Sequence, residues 1–131
     1  MPPDNAATVA AGSAVDFPQD GVIRPSSVIS RTSADSFTLG AIGVYEIRFQ
    51  VSVTEAGQLM IRANGIEINK TVVGRATGTT QIIGFSLIQT TSINTIIEII
   101  NPSGNSPALT ITPLAGGTHP VSAELLIYRI A

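Results

Sequence analysis

The sequence predicts an all-β protein, two antiparallel sheets packed as a sandwich or closed as a barrel, and three observations carry that expectation. β-branched residues dominate the apolar set, with 18 Ile, 10 Val and 14 Thr against 7 Leu in 131 residues. A branched Cβ packs well on a pleated sheet and loses rotamer freedom on a helix. Turn signals recur at short intervals: Asp20-Gly21, Gly40 to Gly43, Ala56-Gly57, Asn64-Gly65, Thr77-Gly78, Asn101 to Asn105 and Gly116-Gly117. Short strands separated in this way are the pattern of sandwiches and barrels. No window carries a helical apolar stripe, and Gly or Pro interrupts most candidate helices.

Taken in order, residues 7–17 and 28–31 read as partial strands, and Ser36 to Leu39 as a short one. The clearest strand is 43–53, where Tyr45, Ile47, Phe49, Val51 and Val53 alternate with Glu46, Arg48, Gln50 and Ser52. One face is therefore apolar and the other polar. Residues 57–68 follow, and Asn64-Gly65 within them can supply the positive φ angles of a tight hairpin turn. The chain is long enough for one domain with a real core, 1–131, in which 1–8 reads as a flexible or stalk-proximal lead-in.

Three later segments break the alternation. In 80–89, Ile82 and Ile88 lie on one face and Ile83, Phe85 and Leu87 on the other. Residues 95–101 oppose Ile97 and Ile99 to Ile96 and Ile100; residues 123–130 oppose Leu125 and Ile127 to Leu126, Tyr128 and Ile130. Strands apolar on both sides sit in sheets covered on both faces. A two-layer sandwich covers only the inner faces, so the outer ones are expected to meet another copy of the chain. Cyclic closure as a homotrimer repeats one pair of patches and leaves none uncovered. In 80–89, Gly84 and Ser86 leave room on the face of Ile82 and Ile88 for a close neighbour. The expected trimer interface is accordingly Ile82, Ile88, Leu126, Tyr128 and Ile130, with Phe85 turned into the protomer core.

The stretch Asp35-Ser36-Phe37-Thr38-Leu39, a short turn, and Gly43-Val44-Tyr45-Glu46-Ile47-Arg48-Phe49 resembles the jelly-roll superfamily of tumour necrosis factor and the complement q-type heads. Within that superfamily the chain is most similar to the C-terminal heads of Bacillus collagen-like exosporium glycoproteins. The similar segments are 61–68, the Ile- and Thr-rich run 80–100 and the ending Ala123 to Ala131. The resemblance implies a jelly-roll sandwich, a compact homotrimer and a head borne on a collagen-like stalk that the trimer helps to register. The aromatic content is lower than in the complement heads and no stalk is present, so ligand functions of the mammalian members are not carried over.

Other chemistries find little support. With no Cys and one His, thiol catalysis, disulfide scaffolding and zinc ligation lack their residues. His119 lies in the turn Gly117-Thr118-His119-Pro120. Ser106 or Ser122 could stand beside it, but no nucleophile elbow or acid partner completes a triad. Asp16 and Asp20 form the one close pair of loop carboxylates, better read as turn formers than as calcium ligands. Glu46 and Glu98 read as strand charges pairing with Arg48, Arg62 or Arg129. Asn69-Lys70-Thr71 fits the glycosylation pattern and reads as coincidence. A net charge of −2 without a basic run argues against nucleic acid. No run approaches the roughly 20 apolar residues of a membrane-spanning helix, and Met1 to Val15 lacks the form of a signal peptide. The opening Met1-Pro2-Pro3 suits a start at a domain boundary of a longer protein.

The expectation is a structural module and not an enzyme, without cofactor or metal. It is a trimerisation and display head of a bacterial collagen-like surface protein of the spore exosporium type. Its partners would be itself and other spore-coat or surface proteins. The alternative is a receptor- or glycan-binding head of a phage or cell-surface fibre.

Overall fold

The computed structural model describes residues 8–78, 80–105, 107–121 and 123–131. Eleven strands follow one another: β1 (Thr8–Val9), β2 (Ile29–Arg31), β3 (Phe37–Leu39), β4 (Val44–Val53), β5 (Gly57–Ala63), β6 (Ile66–Glu67), β7 (Val73–Arg75), β8 (Thr80–Gln89), β9 (Thr95–Ile100), β10 (Leu109–Thr110) and β11 (Glu124–Arg129). A 3-10 turn, Asn69–Thr71, separates β6 from β7. Every pairing is antiparallel. Strands β11-β4-β8 form one sheet; β2-β3-β9-β5-β6, with β7 also paired to β5, form a second. The short β1-β10 ribbon is a separate pair that joins the end of β4 through the Val53–Ile111 bridge and adds Val9 and Leu109 to the core. Thr8, assigned from sequence to the lead-in, pairs with Thr110 in that ribbon; residues 1–7 lie outside the described residues.

The two larger sheets share one hydrophobic cluster, as the layers of a β-sandwich do. Tyr45, Ile47, Phe49, Val51, Ile82 and Ile88 enter it from the first sheet; Leu39, Leu59, Ile61, Ile97 and Ile99 enter from the second. The alternation read in β4 is therefore the true inner and outer parity of that strand. The Asn64-Gly65 hairpin also forms, with φ of 48° and 77° at its two turn residues, joining β5 to β6.

Local chemistry explains the Gly43-Val44-Tyr45 sequence. The Tyr45 ring is fully buried, and its hydroxyl donates to the Ala41 carbonyl at 2.7 Å. Gly43 lies against the Ala131 carbonyl and the Arg129 guanidinium, where a Cβ would collide. Val44 N–H donates to that same Ala131 oxygen at 3.0 Å. A turn and the chain's last residue are thus tied together through one glycine.

Buried Asn101 and Thr71 both find partners for their side chains, as buried polar groups normally do. Asn101 is buried and its amide donates to the Val9 carbonyl at 3.1 Å. The Thr71 hydroxyl accepts from Ile61 N–H and donates to Ile68 C=O, each at 2.8 Å. That pairing accounts for a threonine at position 71 without reference to the glycosylation pattern.

The facing of β8 reverses the expectation. Ile82 and Ile88 are buried in the inter-sheet core, whereas Ile83, Phe85 and Leu87 are 57%, 75% and 53% exposed. Register is the reason. Ile82, Gly84 and Ile88 stand opposite Val51, Phe49 and Tyr45 of β4, and directly opposed residues share a face of the sheet. The space left by Gly84 is filled by the Phe49 ring and not by a neighbouring subunit. Ile82 and Ile88 are core residues of the chain itself.

Strand β9 differs for another reason. Its outward Ile100 stands opposite Met60, and both are buried within the chain itself. Of the three segments apolar on both sides, β8 and β11 keep large apolar residues exposed outside the sandwich.

Candidate assembly surface

The outer face of the β11-β4-β8 sheet is built in rows fixed by strand register. One row is Glu124, Gln50 and Ile83; the next is Leu126, Arg48 and Phe85; a third is Tyr128, Glu46 and Leu87. The outer strands therefore carry apolar columns, Ile83-Phe85-Leu87 on β8 and Leu126-Tyr128 on β11. Ile130 follows just beyond β11. The middle strand carries a polar column, Glu46-Arg48-Gln50.

Leu126, Tyr128 and Ile130 are 46%, 56% and 54% exposed, so these three of the five expected interface residues do lie on the outer face. Ile83, Phe85 and Leu87 share it with them, although Phe85 was expected inside. Only knowledge that Phe49 stands opposite Gly84 would have revealed this from the sequence. Six large apolar side chains exposed on or beside one sheet exceed the scattered exposure usual for a soluble surface.

The face is not flat. A depression of about 450 Å³ lies over Gly84, walled by Arg48, Gln50, Ile83, Phe85, Glu124 and Leu126. Within the polar column, Arg48 Nε donates to Glu46 Oε1 along the same strand. Among the described residues, no acceptor takes the two Nη groups of Arg48 and Glu124 has no ion-pair partner.

A larger cleft, about 720 Å³, opens beside β11 between residues 17–24 and the sandwich edge. Phe17 and Phe37 meet edge to face in its wall, ring centres 6.3 Å apart. Arg31 stacks over Phe37 at 5.0 Å and pairs with Asp20 at 2.6 Å. Its guanidinium also donates to Ser33 C=O at 3.1 Å. Asp20 thus holds the loop to β2, a structural task consistent with the turn role read from sequence; Asp16 does not join this ion pair.

The remaining charges sort as expected of strand surfaces. Arg62 and Glu98 are cross-strand partners and pair at 2.6 Å. Arg129 donates to the Ile42 carbonyl at 3.0 Å. Two carboxyls are held below the ordinary value of 4.5: Glu55 by the hydroxyl and N–H of Thr110, and Glu67 by those of Ser103. His119 is exposed in the turn before β11. The serines considered beside it, Ser106 and Ser122, lie outside the described residues. Among the described residues, no three His, Asp or Glu side chains converge as a metal would require.

Compared with known proteins, the chain matches no family model and no curated protein sequence.

Proposed function

We propose that this chain is a structural self-assembly module, a jelly-roll head that closes as a homotrimer through the outer face of the β11-β4-β8 sheet. The observation carrying the proposal is the pair of exposed apolar columns, Ile83-Phe85-Leu87 and Leu126-Tyr128, with Ile130 beside them. Cyclic packing would remove both columns from water with a single repeated contact. The strand orders β11-β4-β8 and β3-β9-β5-β7 suit the jelly-roll part of the reading. With the resemblance to exosporium collagen-like heads, the module's work is trimerisation, stalk registration and display on a bacterial spore or cell surface. Other coat proteins are its expected partners.

Light scattering at micromolar concentration tests the assembly. A mass near three times 13.6 kDa is expected, and a mass of one chain would refute it. The cleft beside β11 favours a second reading, a receptor- or glycan-binding head of a phage or cell-surface fibre. Saturable binding on an oligosaccharide array, lost on filling the cleft with Leu125→Trp, would support that alternative.

A further inference from the structure

We infer that Arg48 and Glu124 form an ion pair between subunits that sets the register of the assembly. The inference rests on the self-assembly reading and adds the residues that make the contact specific. Arg48 lies in one row with Phe85 and Leu126, between the two apolar columns. A partner that covers both columns must also cover Arg48. Its guanidinium carries five N–H donors. Glu46 occupies Nε, leaving the fork of Nη groups directed elsewhere.

Glu124 lies at the rim of the same depression as Arg48, exposed and unpaired among the described residues. Covering Glu124 with apolar surface would leave its charge desolvated and uncompensated, which is strongly destabilising; covering Arg48, whose charge Glu46 balances, would strand its Nη donors. The occupant of this face must therefore present a cation to Glu124 and hydrogen-bond acceptors to the Nη groups of Arg48. A second copy of this chain presents both. In a heterologous cyclic contact, each subunit would give Arg48 to one neighbour and receive another Arg48 at Glu124. The Nη fork matches a carboxylate geometrically, so a shifted or inverted docking would strand both groups. The apolar columns supply attraction, while this pair discriminates among the ways they could be brought together.

The test inverts all charges of the face at once in the full chain, as E46R/R48E/E124R. This keeps the pairing along β4 and the pairing between subunits. The inverted and wild-type chains, distinguished by mass, are each examined alone and after joint refolding, by native mass spectrometry. Both should assemble alone, and mixed oligomers should fall far below the statistical proportion. Statistical mixing would overturn the ion pair while leaving self-assembly intact; so would an inverted chain that folds but stays monomeric. A monomeric wild type would overturn the self-assembly reading itself, and the ion pair with it. Arg48→Met decides independently should the inverted chain fail to fold. Loss of the cation should weaken assembly on the order of a hundredfold, whereas unchanged or tighter assembly would overturn the inference.

Discussion

Phe49 and Gly84 face each other across β4 and β8, and the phenyl ring occupies the space that a Cβ at position 84 would fill. This single cross-strand pair orients β8. With Gly84 under the Phe49 ring, Ile82 and Ile88 must point inward and Phe85 outward.

Gly84→Ala is accordingly expected to destabilise the fold by about 1–3 kcal/mol, the usual cost of overpacking a filled core. Urea unfolding measures it. Phe49→Leu in the same chain should recover part of the loss, because the two positions share one volume.

The two faces of β8 should respond oppositely to a charge. Ile88 is 4% exposed, so Ile88→Asp buries an unpaired carboxylate at a cost of several kcal/mol; loss of the folded circular-dichroism spectrum is expected. Phe85→Asp should keep that spectrum and yield monomers in light scattering. An Ile88→Asp chain that folds normally would contradict the facing described here.

Acid should release the contact between Glu55 and Thr110. The Glu55 carboxylate accepts from Thr110 N–H and from its hydroxyl, both at 2.7 Å, and its pKa in the folded state is lowered from 4.5. The folded state therefore binds this proton less readily than the unfolded chain. The contribution is complete above the unfolded value and disappears as pH falls through the lower folded value. Urea midpoints taken between pH 6 and pH 3 should fall less for Glu55→Gln than for the unaltered protein. Parallel slopes would remove Glu55 as a source of acid sensitivity.

Thr71 offers a test of the buried hydroxyl. Thr71→Val preserves shape but leaves Ile61 N–H without its acceptor, at an expected cost of about 1–3 kcal/mol. Thr71→Ser keeps the hydroxyl and should lose less. Denaturant midpoints of the two variants distinguish the hydrogen bonds from methyl packing.

The all-β class, the inner and outer parity of β4 and the hairpin at Asn64-Gly65 were all determined by the sequence alone. Their signals are local: composition, a period of two, and residues that accept positive φ. The short strands β7 and β10 escaped because Gly74 interrupts the first and Pro107 and Pro113 close in on the second. Strand β8 escaped for a deeper reason. Its apolar residues occupy both parities, so alternation inside the strand contains no information about which side is the core. That choice belongs to pairing with β4, where the large Phe49 ring needs the missing side chain of Gly84. Tertiary structure likewise buried Met60 and Ile100 together outside the main cluster. The sequence could show that more apolar surface exists than a two-layer sandwich encloses. Only the packing of strands far apart in the chain decided which of it stays outside, on the face shared by Phe85, Leu126 and Tyr128.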